Sequence, residues 1–350
     1  MKRWAVPALL LAAAGVVTVW LTGSDEVSAA TTKIRVPQDQ PTLQAAVDAA
    51  GPGFTISLTP GSYSENVLIF GKTDLRIDGR GSVLNGGGIG SALRILDSTM
   101  ITVRKLGFLN GSPYGLHVHG VSADILVSGC GFTQDVVAGV LVDSPATRVV
   151  IEKCAFVNLP GHGIRAFPGA SEVRVTGNEF LDVDGIGIAL GYEAGGVGVP
   201  NSRIEKNRLS GIGMHGIVFS GLDTVVTRNR VEGVAGGWGI AVDDSTTTSG
   251  AVIEGNRVSD IDGGGIRCLW DGATVSKNRV ERTESYGILA DGTGHMVARN
   301  KIQSARIAGV RLTGGDCTAE GNKVRQCLDD GFQLAGAGHE VLGNQSRGNN

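Results

Sequence analysis

Asparagine recurs along this chain at a fixed interval. Asn256, Asn278, Asn300, Asn322 and Asn344 stand 22 residues apart, and Asn178, Asn207 and Asn229 extend the series toward the N-terminus, with wider gaps before Asn207 and after Asn229. Cys130 and Cys154 occupy the same slot, each 24 residues before the next member, and Leu106 holds it one repeat earlier. Nine or ten residues after each slot comes glycine followed by an apolar residue, as in Gly115-Leu116, Gly163-Ile164, Gly216-Ile217 and Gly287-Ile288. A unit this short cannot bury its own apolar face, so it must stack on copies of itself.

Each repeat holds brief β-branched stretches that alternate with period two and are too short for helices. A coil of about 22 residues fits one three-sided rung, and successive rungs pair in parallel at roughly 4.8 Å. The Asn and Gly slots are expected at the corners, where left-handed backbone is tolerated. Stacked Asn side chains then hydrogen-bond up the column and satisfy buried amides. The Leu-x-x-Leu-x-Leu frame of leucine-rich repeats is absent. The expected fold is all-β, a right-handed parallel β-helix of about 11–12 rungs. A short helix over Thr42–Ala50, ending near Gly51, should cap its N-terminal base.

Composition narrows the alternatives. The chain has 55 glycines but only 10 prolines and no Gly-X-Y period, which excludes collagen and fits ordinary disorder poorly. A net charge of -3 gives no general field for nucleic acid, so an anionic partner would need a local cationic strip. Lys2 and Arg3 precede an apolar run from Ala5 to Leu21, and Val27-Ser28-Ala29 suits a cleavage site. Residues 1–29 are therefore expected to be a signal peptide, and 30–350 a single β-helix domain with its cap and first strands in 30–70. The rival is an uncleaved anchor, since a run of about 17 residues is at the lower edge of a membrane span. After cleavage no stable span is expected, and the protein would be secreted, periplasmic or at the cell surface. The coil runs out soon after Asn344 without an evident cap, and an open last rung invites an oligomer or a partner.

A filled core leaves ligands only the outer faces. Counting from each Gly, alternation places Arg94, His117, Leu141 and Arg165 in one outward column. His119 and Asp143 fall in a second, and Tyr114 and His162 just before the strand. Three of the six histidines thus lie in one patch. A base, an acid and a cation are what proton abstraction beside a carboxylate requires. The bland alternative is an exposed sheet surface with arbitrary polar residues.

Leu43-Gln44-Ala45-Ala46 followed by Pro60-Gly61-Ser62-Tyr63-Ser64-Glu65 resembles the opening segment of the pectin-lyase-like β-helices. Tyr114-Gly115-Leu116-His117-Val118-His119 resembles the Tyr-Gly-x-Asp-Pro-His motif of alginate (mannuronan) C5-epimerases and related lyases. His117 stands where that motif has Asp, and Val118 where it has Pro. The resemblance implies that Tyr114 and His119 exchange the C5 proton of a uronate. Asp143 and His162 would then orient or polarise it, with Arg94 or Arg165 neutralising its carboxylate. The implied function is binding, and modification by epimerase or lyase chemistry, of an extracellular anionic polysaccharide. A non-catalytic β-helix binder or scaffold is the alternative. Gly161-His162-Gly163 is similar to a polygalacturonase motif, but Tyr114 and Ala138 stand where those hydrolases need Asp.

Two features remain. Long corners at Gly191–Ser202 and Asp243–Gly250 bring Tyr192, Glu193, Asp243, Asp244, Trp270 and Asp271 near one notch, suited to a sugar or a calcium ion unless they are tolerated insertions. No cofactor is otherwise indicated. Five cysteines are too few for a disulfide framework. Cys130 and Cys154 should stack as thiols rather than bridge, Cys268 should be core, and Cys317 and Cys327 could pair across one rung.

Overall fold

The structure is a computed structural model that describes residues 32–192, 197–242 and 250–349. The leader 1–29 with its cleavage site, and Glu193, Asp243 and Asp244 of the notch, lie outside the described residues. From Thr32 onward the chain forms one compact unit, a right-handed parallel β-helix.

Most coils carry three strands, and every strand pairs in parallel with its counterparts in the flanking coils. One face is a 12-stranded sheet running from Val67–Phe70 to Asp330–Ala337. The other two faces merge into a single 25-stranded sheet, because Thr73–Asn85 and Thr99–Leu109 run unbroken around the corner between them. The solenoid has about 13 turns, slightly more than the 11–12 expected. The extra turn is the first, in which a helix replaces the strand of the 12-stranded sheet.

That helix, Leu43–Ala49, is capped by the Thr42 side chain, which accepts the Ala45 amide at 3.1 Å. Leu43, Ala46 and Val47 are buried and join the core. Gln44 binds both polar groups of Leu68, accepting its N–H at 2.7 Å and donating to its carbonyl at 3.1 Å. An amide side chain thus completes the exposed edge of the first strand as a neighbouring strand would. Glu65 accepts the Leu43 and Gln44 amides at the start of the helix.

Inside, same-slot residues stack. Phe108, Phe132, Phe156 and Phe180 lie ring on ring, with centroids 4.6–4.8 Å apart. The asparagine column is a continuous buried ladder. Asn207 donates its backbone N–H at 2.9 Å and its Nδ2 at 3.0 Å to Asn229 Oδ1. Its Nδ2 also donates to Val175 O at 2.9 Å. The pattern repeats up to Asn344. Cys154 Sγ takes the acceptor role for the Cys130 amide at 3.4 Å, a thiol stack without a disulfide. Cys317 and Cys327 are likewise free, and Cys268 is in the core.

The corner expectation needs correction. The left-handed residue is the one before each slot: Lys206, Arg228, Lys277 and Arg299 have φ of 55–57°, and Gly177 and Gly255 have 63–65°. Asparagine is selected by the ladder it donates to. The glycine column answers to space. A Cβ on Gly163 would lie 2.5 Å from Gly187 O and 2.6 Å from the Phe180 ring, so the coils can stack only if that atom is missing.

Candidate functional site

The register agrees with the alternation count. Arg94, His117, Leu141 and Arg165 are successive Cα partners, as are Tyr114, Ala138 and His162. The column does not stay open to solvent along its length. Leu141, Ala189, Val218 and Ala241 are buried although they point outward. The last three form a small second cluster with Ile186, against which Tyr192 and Trp238 pack. The face is open on either side of this covered stretch, at its N-terminal end and again from Arg267 to Gln333, and the predicted histidines lie at the N-terminal end.

There the strand Tyr114–His119 places three rings in contact. The Tyr114 and His117 centroids are 5.1 Å apart in an edge-to-face arrangement. His117 and His119, two residues apart on one side of the strand, stack at 4.3 Å. From the next coil, Asp143 continues the backbone ladder through a 2.8 Å bond to Val118 O. Its Oδ2 lies 3.7 Å from His117 Nε2, an ion-pair approach longer than a hydrogen bond. From the coil below, Arg94 pairs with His117. Arg94, Tyr114 and His117 line a cleft of about 380 Å³ whose lining also includes Asn66, Ser91 and Pro113.

Burial, then the neighbouring His119 and Arg94, push the His117 imidazole down to about 4 against the opposing pull of Asp143. Burial and Arg94 lower His119 as well, with Asp143 and Asp97 opposing. Both rings are thus neutral at neutral pH and free to accept a proton. Their Nε2 atoms are shielded from solvent and have no hydrogen-bond partner among the described residues. His119 stands behind His117 and does not line the cleft.

His162 and Arg165 are set apart from this group. His162 Nδ1 accepts the Ile186 amide at 2.9 Å, which turns the ring toward the following coil. Burial and Arg165 lower its pKa. His215 makes the same bond to Trp238, so this is a repeated structural use of histidine at the corner. Arg165 lies over the Phe167 ring at 4.5 Å. In the notch, Asp271 accepts the Thr293 amide at 2.7 Å, and Trp270 packs against the core. Among the described residues no three His, Cys, Asp or Glu side chains converge to hold a metal. Tyr286, which also precedes a Gly, accepts a hydrogen bond from Arg311 at 2.6 Å.

Sequence reasoning missed Asp135 and Asn66. Asp135 is fully buried in a slot that holds Leu159 and Val183 in the next coils, and its Oδ1 accepts the Gly111 amide at 2.8 Å. Burial raises its pKa to about 7. A Cβ on Gly115 would lie 2.4 Å from Oδ2, so this carboxyl sits directly beneath the motif strand. A carboxylate in an apolar slot was the available signal. Asn66 Nδ2 donates to the carbonyls of Gly86, Gly90 and Ser91 and so shapes part of the cleft lining. Nothing in the repeat marks it.

Comparison with known proteins places this architecture. No curated protein matches the sequence. Among solved structures, the chain is similar to the catalytic domain of a GH87 α-1,3-glucanase. The identity is 11% and the TM-score 0.61, over 90% of this chain and 69% of that one. It is similar to the A-module of the Azotobacter vinelandii mannuronan C-5 epimerase AlgE4, at 16% identity and TM-score 0.58, over 88% and 94% of the two chains. It is also similar to PfbA, a surface adhesin of Streptococcus pneumoniae, at 12% identity and TM-score 0.60, over 85% and 87%. At such identities the likeness is one of fold. Among the described residues no helix is long and apolar enough to cross a membrane. The family model for the right-handed β-helix region matches residues 91–247 and 215–350, most of the chain, and this protein belongs to that family.

Proposed function

We propose that the protein recognises an anionic polysaccharide in the cleft at Arg94, Tyr114 and His117 and acts there on uronate residues by C5 proton abstraction, as an epimerase or lyase. The observation that carries the reading is the convergence of a phenol, a neutral imidazole and a guanidinium on one cleft, with a second neutral imidazole stacked behind the first. Arg94 meets the uronate carboxylate, which lowers the cost of placing negative charge there as the C5 proton leaves. The His117–His119 pair takes the proton, and Tyr114 returns one to the opposite face or to the leaving oxygen. Asp143 stabilises the imidazolium formed at His117. Asp135 holds the backbone at Gly111, just before the motif strand, and Asn66 holds the loop from Gly86 to Ser91. The protein would work outside the cytoplasm, where such polymers occur. Among the structures similar in fold are an epimerase acting on mannuronan and a glucanase bound to nigerose, which favours a carbohydrate partner.

The second reading is a non-catalytic binder. His117 at the motif's Asp position favours it, and a surface adhesin shares the fold. Incubation with poly-mannuronate, poly-guluronate and pectate separates the two. Ultraviolet absorbance reports unsaturated ends, and proton NMR reports epimerised sugars. Product with any polymer supports the enzyme. All three unchanged, with and without calcium, but retained by the protein in a binding assay, leaves the binder.

A further inference from the structure

The strand that follows each asparagine carries a second regularity, on a different face from the cleft. Arg208, Arg230, Arg257, Arg279, Lys301 and Lys323 are successive Cα partners, one per coil, and all are exposed. Like charges stacked at about 4.8 Å repel and weaken a sheet unless they are compensated.

In the middle of the ladder they are. Arg230 pairs with Glu232 at 2.7 Å. Glu281 accepts Arg279 Nε at 2.6 Å and lies 3.9 Å from Arg257. Elsewhere on the surface outward cations find acids one coil away: Arg148 with Asp124, Arg282 with Asp260, Arg306 with Glu284. Past Glu281 the compensation stops. Lys301, Lys323 and Arg325 have no ion-pair partner among the described residues, and Arg347 pairs in register with Arg325 to extend the patch. These cations flank a groove of about 280 Å³ that runs between the coils of Arg279 and Lys323.

We propose that this ladder is a binding surface for a linear anionic polysaccharide. The chain lies along the solenoid axis with the acidic groups of successive sugars on Lys301, Lys323 and Arg325. One sugar unit spans a length of the same order as one coil, so a charge on every sugar can meet a charge on every rung. The apolar stems of the Lys and Arg side chains offer the sugar rings a surface to lie on. The groove residues include no aromatic side chain on which bases could stack, which favours carbohydrate over single-stranded nucleic acid. The strip is also narrow on a chain of net charge -3, which suits a thin polymer better than a duplex. The site belongs to the 25-stranded sheet and stands independently of the cleft on the 12-stranded one.

The test is equilibrium binding of polygalacturonate, with neutral dextran and a single-stranded oligonucleotide of matched length as comparisons. It is run on a full chain that already carries Arg94→Ala, so that loss of the cleft reading does not decide the result. Polygalacturonate should bind and dextran should not, with affinity falling steeply as salt rises. Lys301→Gln, Lys323→Gln and Arg325→Gln combined should weaken binding at least about tenfold and flatten the salt dependence. Single Lys323→Gln should fall between, and circular dichroism should show each variant folded. Equal binding by the parent and the triple variant, or none by the parent, overturns the proposal. Tighter binding of the oligonucleotide overturns the choice of carbohydrate.

Discussion

Asp135 Oδ1 accepts the backbone amide of Gly111 at 2.8 Å from inside the core, and its Oδ2 has no partner among the described residues. Burial holds the acid's pKa near 7 in the folded chain. The group is therefore protonated when folded and ionised when unfolded over the range from its ordinary value to about 7. Its contribution to stability is present at low pH and is lost as pH rises through that window. Asp135→Asn keeps an acceptor for Gly111 and removes the charge. Urea unfolding should show the variant gaining on the parent between pH 5 and 8, by on the order of a few kcal/mol. Parallel pH profiles for the two would contradict the buried-acid account.

The asparagine ladder should be cooperative. Asn278→Ala removes the acceptor for both the amide and the side chain of Asn256, together with a donor to Ile253 O. Buried groups left unmatched cost about 1–3 kcal/mol each. The variant should lose roughly 3 kcal/mol or more in chemical denaturation. A loss below about 1 kcal/mol would mean that water or a backbone shift replaces the ladder.

The two glycine classes should respond differently. Gly177 has φ of 63° and open space around it, so Gly177→Ala should cost about 1 kcal/mol through left-handed backbone alone. Gly163→Ala meets a carbonyl and the Phe180 ring and should cost more than about 2 kcal/mol. Equal losses would return the glycine column to a turn role.

These outcomes bear on what the sequence could reveal. The period, the strands, the asparagine column and the inward residues were legible because stacking forces one chemistry on each slot. Which corner residue turns left-handed was not, since Lys206, Arg228 and Gly177 look unlike one another. Alternation found the column through Arg94 and His117, but it could not foresee that Ala189 and Val218 would be covered. The direction of the His162 ring was hidden for a similar reason, because its partner is a backbone amide one coil on. The site residues come from neighbouring coils and different strands, and period alone does not give ring orientation.

Histidine titration probes the cleft without substrate. The NMR midpoint of His117 should lie near 4, and that of His119 below its ordinary value. Arg94→Ala removes a charge that lowers both, so both midpoints should rise. A His117 midpoint at or above 6.5 would place an imidazolium, rather than a base, in the cleft at neutral pH.

Removal of the C5 proton is the central claim, and solvent exchange reads it directly. Poly-mannuronate and poly-guluronate incubated with the protein in deuterium oxide should gain deuterium at C5, or lose that hydrogen altogether in an unsaturated product. Tyr114→Phe and His119→Ala should each lower the rate by at least about a hundredfold while the circular dichroism spectrum is unchanged. A polymer that keeps its full C5 proton signal after prolonged incubation with the parent protein would contradict the claim.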